Sequence, residues 1–306
     1  MHATTGHWKI GLALALTTSV LWGVLPIALT VVLRGMDPFT ITWYRFLTAS
    51  LVLGLILAAT NSLPKFEGLN RRAWLLLLVA AAGLTGNYVL YVSALPFSSP
   101  TTSQIVTQLG PIFLLLGGLV LFKEKFAALQ WAGFAVLICG LLLFFNDRLA
   151  ELIHPSAGLG LGVAMLVCGM IAWAAYGLAQ KQLLAWLGAQ QILLLLYLGA
   201  FLALLPLATF RLILRLNGQQ FFMLAFCCMN TLVAYGAFAE ALRRWEVSRI
   251  GAILSTSPVF TVAAMAILGR VAPALIVPER LNFISMIGTL LVVSGSATCA
   301  LARRAS

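Results

Sequence analysis

Apolar stretches of about 20 residues alternate along the chain with short polar joins. A helix rises 1.5 Å per residue, so about 20 apolar residues cross the hydrocarbon core of a bilayer. With Gly, Pro and charge as punctuation, ten such runs are found: 10–33, 39–60, 73–95, 101–122, 127–145, 158–180, 190–210, 220–242, 248–269 and 282–302. The third and fourth are separated only by LPFSSP, and no join is long enough for a soluble domain. The pattern predicts an all-α integral membrane protein of ten transmembrane helices.

Composition agrees with that expectation. Of the 306 residues, 62% are hydrophobic and 9% charged; soluble domains carry roughly 45–50% and about 25%. The formal charge of +11 does not indicate nucleic acid, because the basic residues sit between apolar runs and form no patch with interleaved aromatics. Instead they orient the chain. With the N-terminus inside, twelve Lys and Arg fall in cytoplasmic segments and six in outer loops, which places both termini in the cytoplasm of a multi-pass protein of the cell (inner) membrane. The run after MHATTGHWK is too long for a signal-peptide core and reads as a spanning helix. The five cysteines lie in apolar runs without a C-x-x-C pair, and the three histidines lie outside the runs. No metal, cofactor or disulfide is expected. The expected partners are lipid and a small-molecule substrate, with the chain a monomer or homodimer.

The chain repeats itself. KEKFAALQWAGFAVLICG (123–140) and PERLNFISMIGTLLVVSG (278–295) share Glu, Gly and Gly at one offset: Glu124, Gly133 and Gly140 against Glu279, Gly288 and Gly295. Tyr88, Ala94, Leu95 and Pro111 recur as Tyr235, Ala241, Leu242 and Pro258, and Trp22 as Trp173. An eight-residue insertion within GRVAPALIVP accounts for the change of offset. Two five-helix halves follow, 1–148 and 149–306. Because five is odd, the second half enters the membrane from the opposite side. An inverted repeat is the signature of secondary transporters, whose sites lie near the midplane where the halves meet. Glycines seven apart share a helix face and permit close helix contact. The fifth and tenth runs therefore read as packing elements, with Glu124 and Glu279 as interfacial anchors.

These motifs resemble the drug/metabolite transporter superfamily, specifically its EamA-type ten-helix members. The resemblance is carried by LWG (21–23), YRF (44–46), LGP (109–111) and above all FKEKFAALQWAGFAVLICG (122–140), and it covers essentially the whole chain. The second half departs from it in the insertion after Arg270 and in having Leu196 where Arg45 would repeat. The resemblance implies cytoplasmic termini, a cavity lined by helices one to four and six to nine, and export of small metabolites, amino acids among them.

Candidate substrate contacts follow from spacing. Thr101, Gln104, Gln108 and Pro111 share one helical face, and the repeat positions Ser248, Gly251, Ser255 and Pro258 are again small or polar. Pro111 and Pro258 fall mid-span, where each frees a carbonyl four residues earlier; Pro26 is a third candidate kink. Such kinks are either structural or line a watery cavity. Asn87 and Tyr91 share a face of the third run, and Asn230 lies on the eighth. Trp22 and Trp173 stand mid-span, as core packing or substrate contact. Arg45 either snorkels to the outer face or binds a substrate carboxylate. Glu240 either pairs with Arg243 and Arg244 or carries a proton.

Function classes narrow accordingly. The spans hold no His and no nucleophile–base pair, which argues against a membrane enzyme. No G-x-x-x-x-G-K-[ST] loop occurs, which excludes an ATP-driven pump within this chain. A scaffold or pore-forming protein would more naturally preserve a charged or carbonyl ring. Secondary export of an amphiphilic or zwitterionic metabolite, amino acids foremost, is the expectation; the alternatives are a membrane scaffold or pore-forming protein without active transport, or a drug or quaternary-amine exporter. Phosphorylated solutes are disfavoured, because they need a converging Lys/Arg clamp.

Overall fold

In lipid every backbone N–H and C=O must find its partner within the protein. The computed structural model meets that demand with helices; no strand occurs among the described residues, 8–98, 103, 106–124, 126–146, 158–271 and 282–302. The helices are α1 (Trp8–Val32), α2 (Pro38–Ala59), α3 (Arg71–Ala94), α4 (Leu109–Leu121), α5 (Ala128–Phe144), α6 (Leu159–Leu183), α7 (Ala189–Leu204), α8 (Gly218–Arg244), α9 (Val247–Leu254), α10 (Ser257–Val271) and α11 (Phe283–Leu301). Eight segments are long and apolar enough to cross a membrane, with α9 and α10 together forming one of them; α4 and α5 are shorter apolar helices.

Local chemistry sets several helix starts. Asp37 accepts from Thr40 N at 3.0 Å with Pro38 opening α2. Asn70 and Asn217 accept from Ala73 N and Gln220 N at 2.9 Å. Each satisfies an N–H left over at a helix start. The seventh predicted run stops early: α7 ends at Leu204, and 3-10 turns follow at Leu205–Leu207 and Phe210–Arg215. Large apolar side chains such as Leu55, Val120 and Leu290 face outward, 71–75% exposed, as expected of a lipid-facing surface.

Packing runs between distant parts of the chain. α1 lies against α8 and α10, α3 against α6, α2 against α7, α4 against α9 and α6, and α5 against α11. The α5–α11 contact is made backbone to backbone at glycines. A Cβ on Gly140 would stand 2.6 Å from Val292 N, on Gly288 2.3 Å from Phe144 N, and on Gly295 2.4 Å from Leu137 N.

The α9–α10 break falls at Ser255–Thr256, just before Pro258, and α4 begins after a turn at Gln108, three residues before Pro111. α1 runs through Pro26 without interruption. At the α9–α10 break, hydroxyls take up the carbonyls: Ser257 Oγ donates to Leu254 O at 2.8 Å and Thr256 Oγ1 to Ile253 O at 2.7 Å.

Candidate functional site

A cavity opens where α1, α3, α6, α8, the start of α4 and the α9–α10 break converge. It is lined by Trp22, Leu25, Asn87, Tyr91, Thr107, Gln108, Pro111, Met170, Trp173, Tyr235, Leu254 and Ser257. Counting its open mouth, it holds ≈ 640 Å³ not occupied by protein atoms, within the range typical of small-molecule sites. Aromatic rings set its walls. Trp22 meets Trp173 edge-on with centroids 5.4 Å apart and leans on Tyr235 at 5.0 Å. Asn87 is held in place by donating Nδ2 to Gly169 O at 3.0 Å.

Two lining groups are left without protein partners: the Gln108 Oε1 acceptor and the Trp22 Nε1 donor. A buried polar atom left unpaired costs about 1–3 kcal/mol, so a ligand that offers one donor and one acceptor gains from both. None of the lining side chains is charged.

Six of the residues expected from sequence line this cavity: Trp22, Asn87, Tyr91, Gln108, Pro111 and Trp173. Thr101 and Gln104 lie outside the described residues. Ser248 and Ser255 do not line it. Gly251 between them packs so tightly on α4 that a Cβ would stand 2.7 Å from Pro111 O, and Ser255 Oγ bonds Gly251 O of its own helix. That small, polar face serves helix contact. Asn230 is turned to α1, donating Nδ2 to Leu21 O at 2.7 Å.

Arg45 requires a correction. It is 1% exposed and does not snorkel. It stands behind the cavity wall, with Nε donating to Thr231 Oγ1 at 2.8 Å and Cζ 4.3 Å from the Tyr88 ring centre. Its place within the second run did not reveal that Tyr88 of α3 and Thr231 of α8 enclose it. Glu240 pairs with Arg243 and Arg244, at 2.6 Å to the Arg244 Nη2.

Glu124 also departs from expectation. Rather than sitting at the lipid interface, it turns inward and accepts from Val247 N and Ser248 N, both at 3.0 Å. It thereby caps α9, and the cap needs Gly118, where a Cβ would meet its Oε2 at 2.8 Å. On the other side of the same junction, buried Lys181 donates to Leu242 O and Trp245 O at the end of α8. Charges of opposite sign thus hold both helix ends at the α8–α9 junction. Lys181, one of the twelve basic residues assigned from sequence to cytoplasmic segments, gave no signal for this role. Tyr235 did: it repeats Tyr88, and it lines the site.

The model of the EamA-like transporter family matches this chain twice, over residues 9–146 and 160–300. The chain belongs to the EamA-like transporter family. It is 42% identical over 296 residues to the uncharacterized inner membrane transporter YhbE of Escherichia coli (strain K12), spanning 96% of this chain and 92% of that one. It is 24% identical over 298 residues to the "Probable amino-acid metabolite efflux pump" of the same organism, spanning 92% of each. A crystal structure at 18% identity shares the fold, with a TM-score of 0.73 over 97% of this chain and 99% of the other. As an EamA member of the drug/metabolite transporter superfamily, the chain is a membrane transporter.

Proposed function

We propose that this chain exports small amphiphilic or zwitterionic metabolites, amino acids foremost, by alternating access between two inverted five-helix repeats, 1–148 and 149–306. The carrying observation is the aromatic-walled cavity with its unpartnered Gln108 acceptor and Trp22 donor. Such a site suits a solute with an apolar body and a few polar atoms. The similarity to an amino-acid metabolite efflux pump favours the same class.

The repeat reading is supported by the double match of the family model and by the pairing of helices. Exchanging α1 with α6 and α3 with α8 turns the α1–α8 contact into the α6–α3 contact. α2–α7, α4–α9 and α5–α11 each map onto themselves. Ten spans follow if α4 and the residues before it make the fourth. Under the twelve-to-six charge bias both termini are cytoplasmic. On a cysteine-free background, an impermeant thiol reagent added to intact cells is expected to label Arg215→Cys and not Glu67→Cys. The reverse pattern overturns the orientation.

Counterflow in proteoliposomes tests the substrate class. Amino acids are expected to exchange and sugar phosphates are not; exchange of phosphate esters without response to any amino acid overturns the reading. Gln108→Leu removes the unpaired acceptor and is expected to weaken substrate affinity about five- to hundredfold while the protein remains inserted. Wild-type kinetics in that variant would assign Gln108 to packing. The aromatic wall also favours a second reading, export of a quaternary ammonium compound.

A further inference from the structure

We infer that Arg45 sets the charge selectivity of the cavity, favouring solutes that keep a carboxylate and disfavouring those with a net positive charge. The inference rests on the transport reading above and narrows it. Arg45 is fully protonated at any physiological pH and is buried. No carboxylate compensates it among the described residues. Asp37 bonds Thr40, Glu124 caps α9, Glu240 and Glu246 pair with arginines of their own helical turns, and Glu67 is exposed on a loop. The ionisable groups around it, Tyr88, Cys227, Cys228 and Tyr235 among them, are phenols and thiols, uncharged groups at neutral pH.

The charge is coupled to the cavity through two rings. Arg45 Cζ lies 4.3 Å from the Tyr88 centroid, Tyr88 lies 5.3 Å from Tyr235, and Tyr235 lines the cavity. For a solute about 10 Å from the guanidinium, an effective dielectric of about 20 gives a unit charge a roughly ten- to twentyfold effect on affinity. Arg45 is buried, so salt screens it less than it would an exposed charge. The aromatic wall alone would welcome an ammonium group; the uncompensated guanidinium behind it opposes one, so a carboxylate must accompany the amine.

The test is counterflow competition with leucine, phenylalanine and glutamine, each paired with its amino alcohol, a cation in which CH2OH replaces the carboxylate. In the wild type each amino alcohol is expected to compete at least about tenfold less well than its amino acid. Arg45→Met is expected to narrow that ratio about tenfold, and Arg45→Lys to keep it. The change of ratio between variants isolates charge from the lost carboxylate contacts, and it does not depend on how much protein folds. An unchanged ratio in Arg45→Met overturns the inference. If that variant fails to insert, the wild-type ratio decides: amino alcohols competing as well as amino acids overturn charge selection and leave the transport reading standing. A protein that moves none of the amino acids overturns both.

Discussion

Gly288→Ala is expected to destabilise the protein by more than about 3 kcal/mol, the upper end of what overpacking costs. The added Cβ would stand 2.3 Å from Phe144 N, 2.7 Å from Phe144 Cα and 2.8 Å from Gly140 O. All three are backbone atoms, so no rotamer change can relieve the clash; α5 and α11 have to part. Parting them also loosens Gly295, whose own Cβ position is 2.4 Å from Leu137 N. In a membrane, helix association depends on close packing and not on hydrophobic exclusion, so the lost contact has no substitute. Gly236→Ala is the control. Nothing lies within 4 Å of its Cβ position, and alanine in a helix interior is favoured over glycine by about 0.5–1 kcal/mol. Unfolding in mixed detergent micelles should separate the two variants clearly. A Gly288→Ala protein as stable as the wild type would mean that α5 and α11 are not in backbone contact.

The second large effect is expected at Glu124. Its carboxylate accepts from two consecutive N–H groups at the start of α9, each at 3.0 Å. Hydrogen bonds to charged groups contribute about 1.5–3 kcal/mol, and a capping side chain typically contributes about 1 kcal/mol. Glu124→Ala leaves both donors unpaired and is expected to cost about 2–3 kcal/mol in the same assay. Glu124→Gln keeps one acceptor oxygen and is expected to lose about half of that. The asymmetry between the variants identifies the cap, because an interfacial anchor would tolerate either change. Equal stability of Glu124→Ala and wild type would remove Glu124 from this role.

What could be read from the sequence divides along physical lines. The spans were legible because lipid imposes a length and an apolarity on each of them, and α1, α2, α3 and α8 begin and end within two residues of the runs read from hydropathy. The glycine pairs were legible because spacing seven apart fixes a face, and that face meets its repeat in the fold. Spacing does not say what a face meets. Ser248, Gly251 and Ser255 form a polar stripe by the same rule as Gln108 and Pro111, yet they abut α4 while Gln108 borders the cavity. The burial of Arg45 and Lys181 was not legible because distance along a helix cannot report enclosure by helices from elsewhere in the chain. Met170, Leu254 and Ser257 line the site through the convergence of α6 with the α9–α10 break, which no local pattern encodes.

The way the helices pair bears on how the chain is made. α1 rests on α8, α9 and α10, so the first helix to leave the ribosome meets its main neighbours only late in synthesis. A nascent chain that has reached Phe144 has already placed Arg45 in the bilayer, while Thr231 and Tyr235, its partner and its outer screen, are still to be translated. At that stage the glycine face of α5 is bare. The first half therefore waits in the membrane with an exposed charge and an open seam, and it reaches its final structure only when synthesis is nearly over.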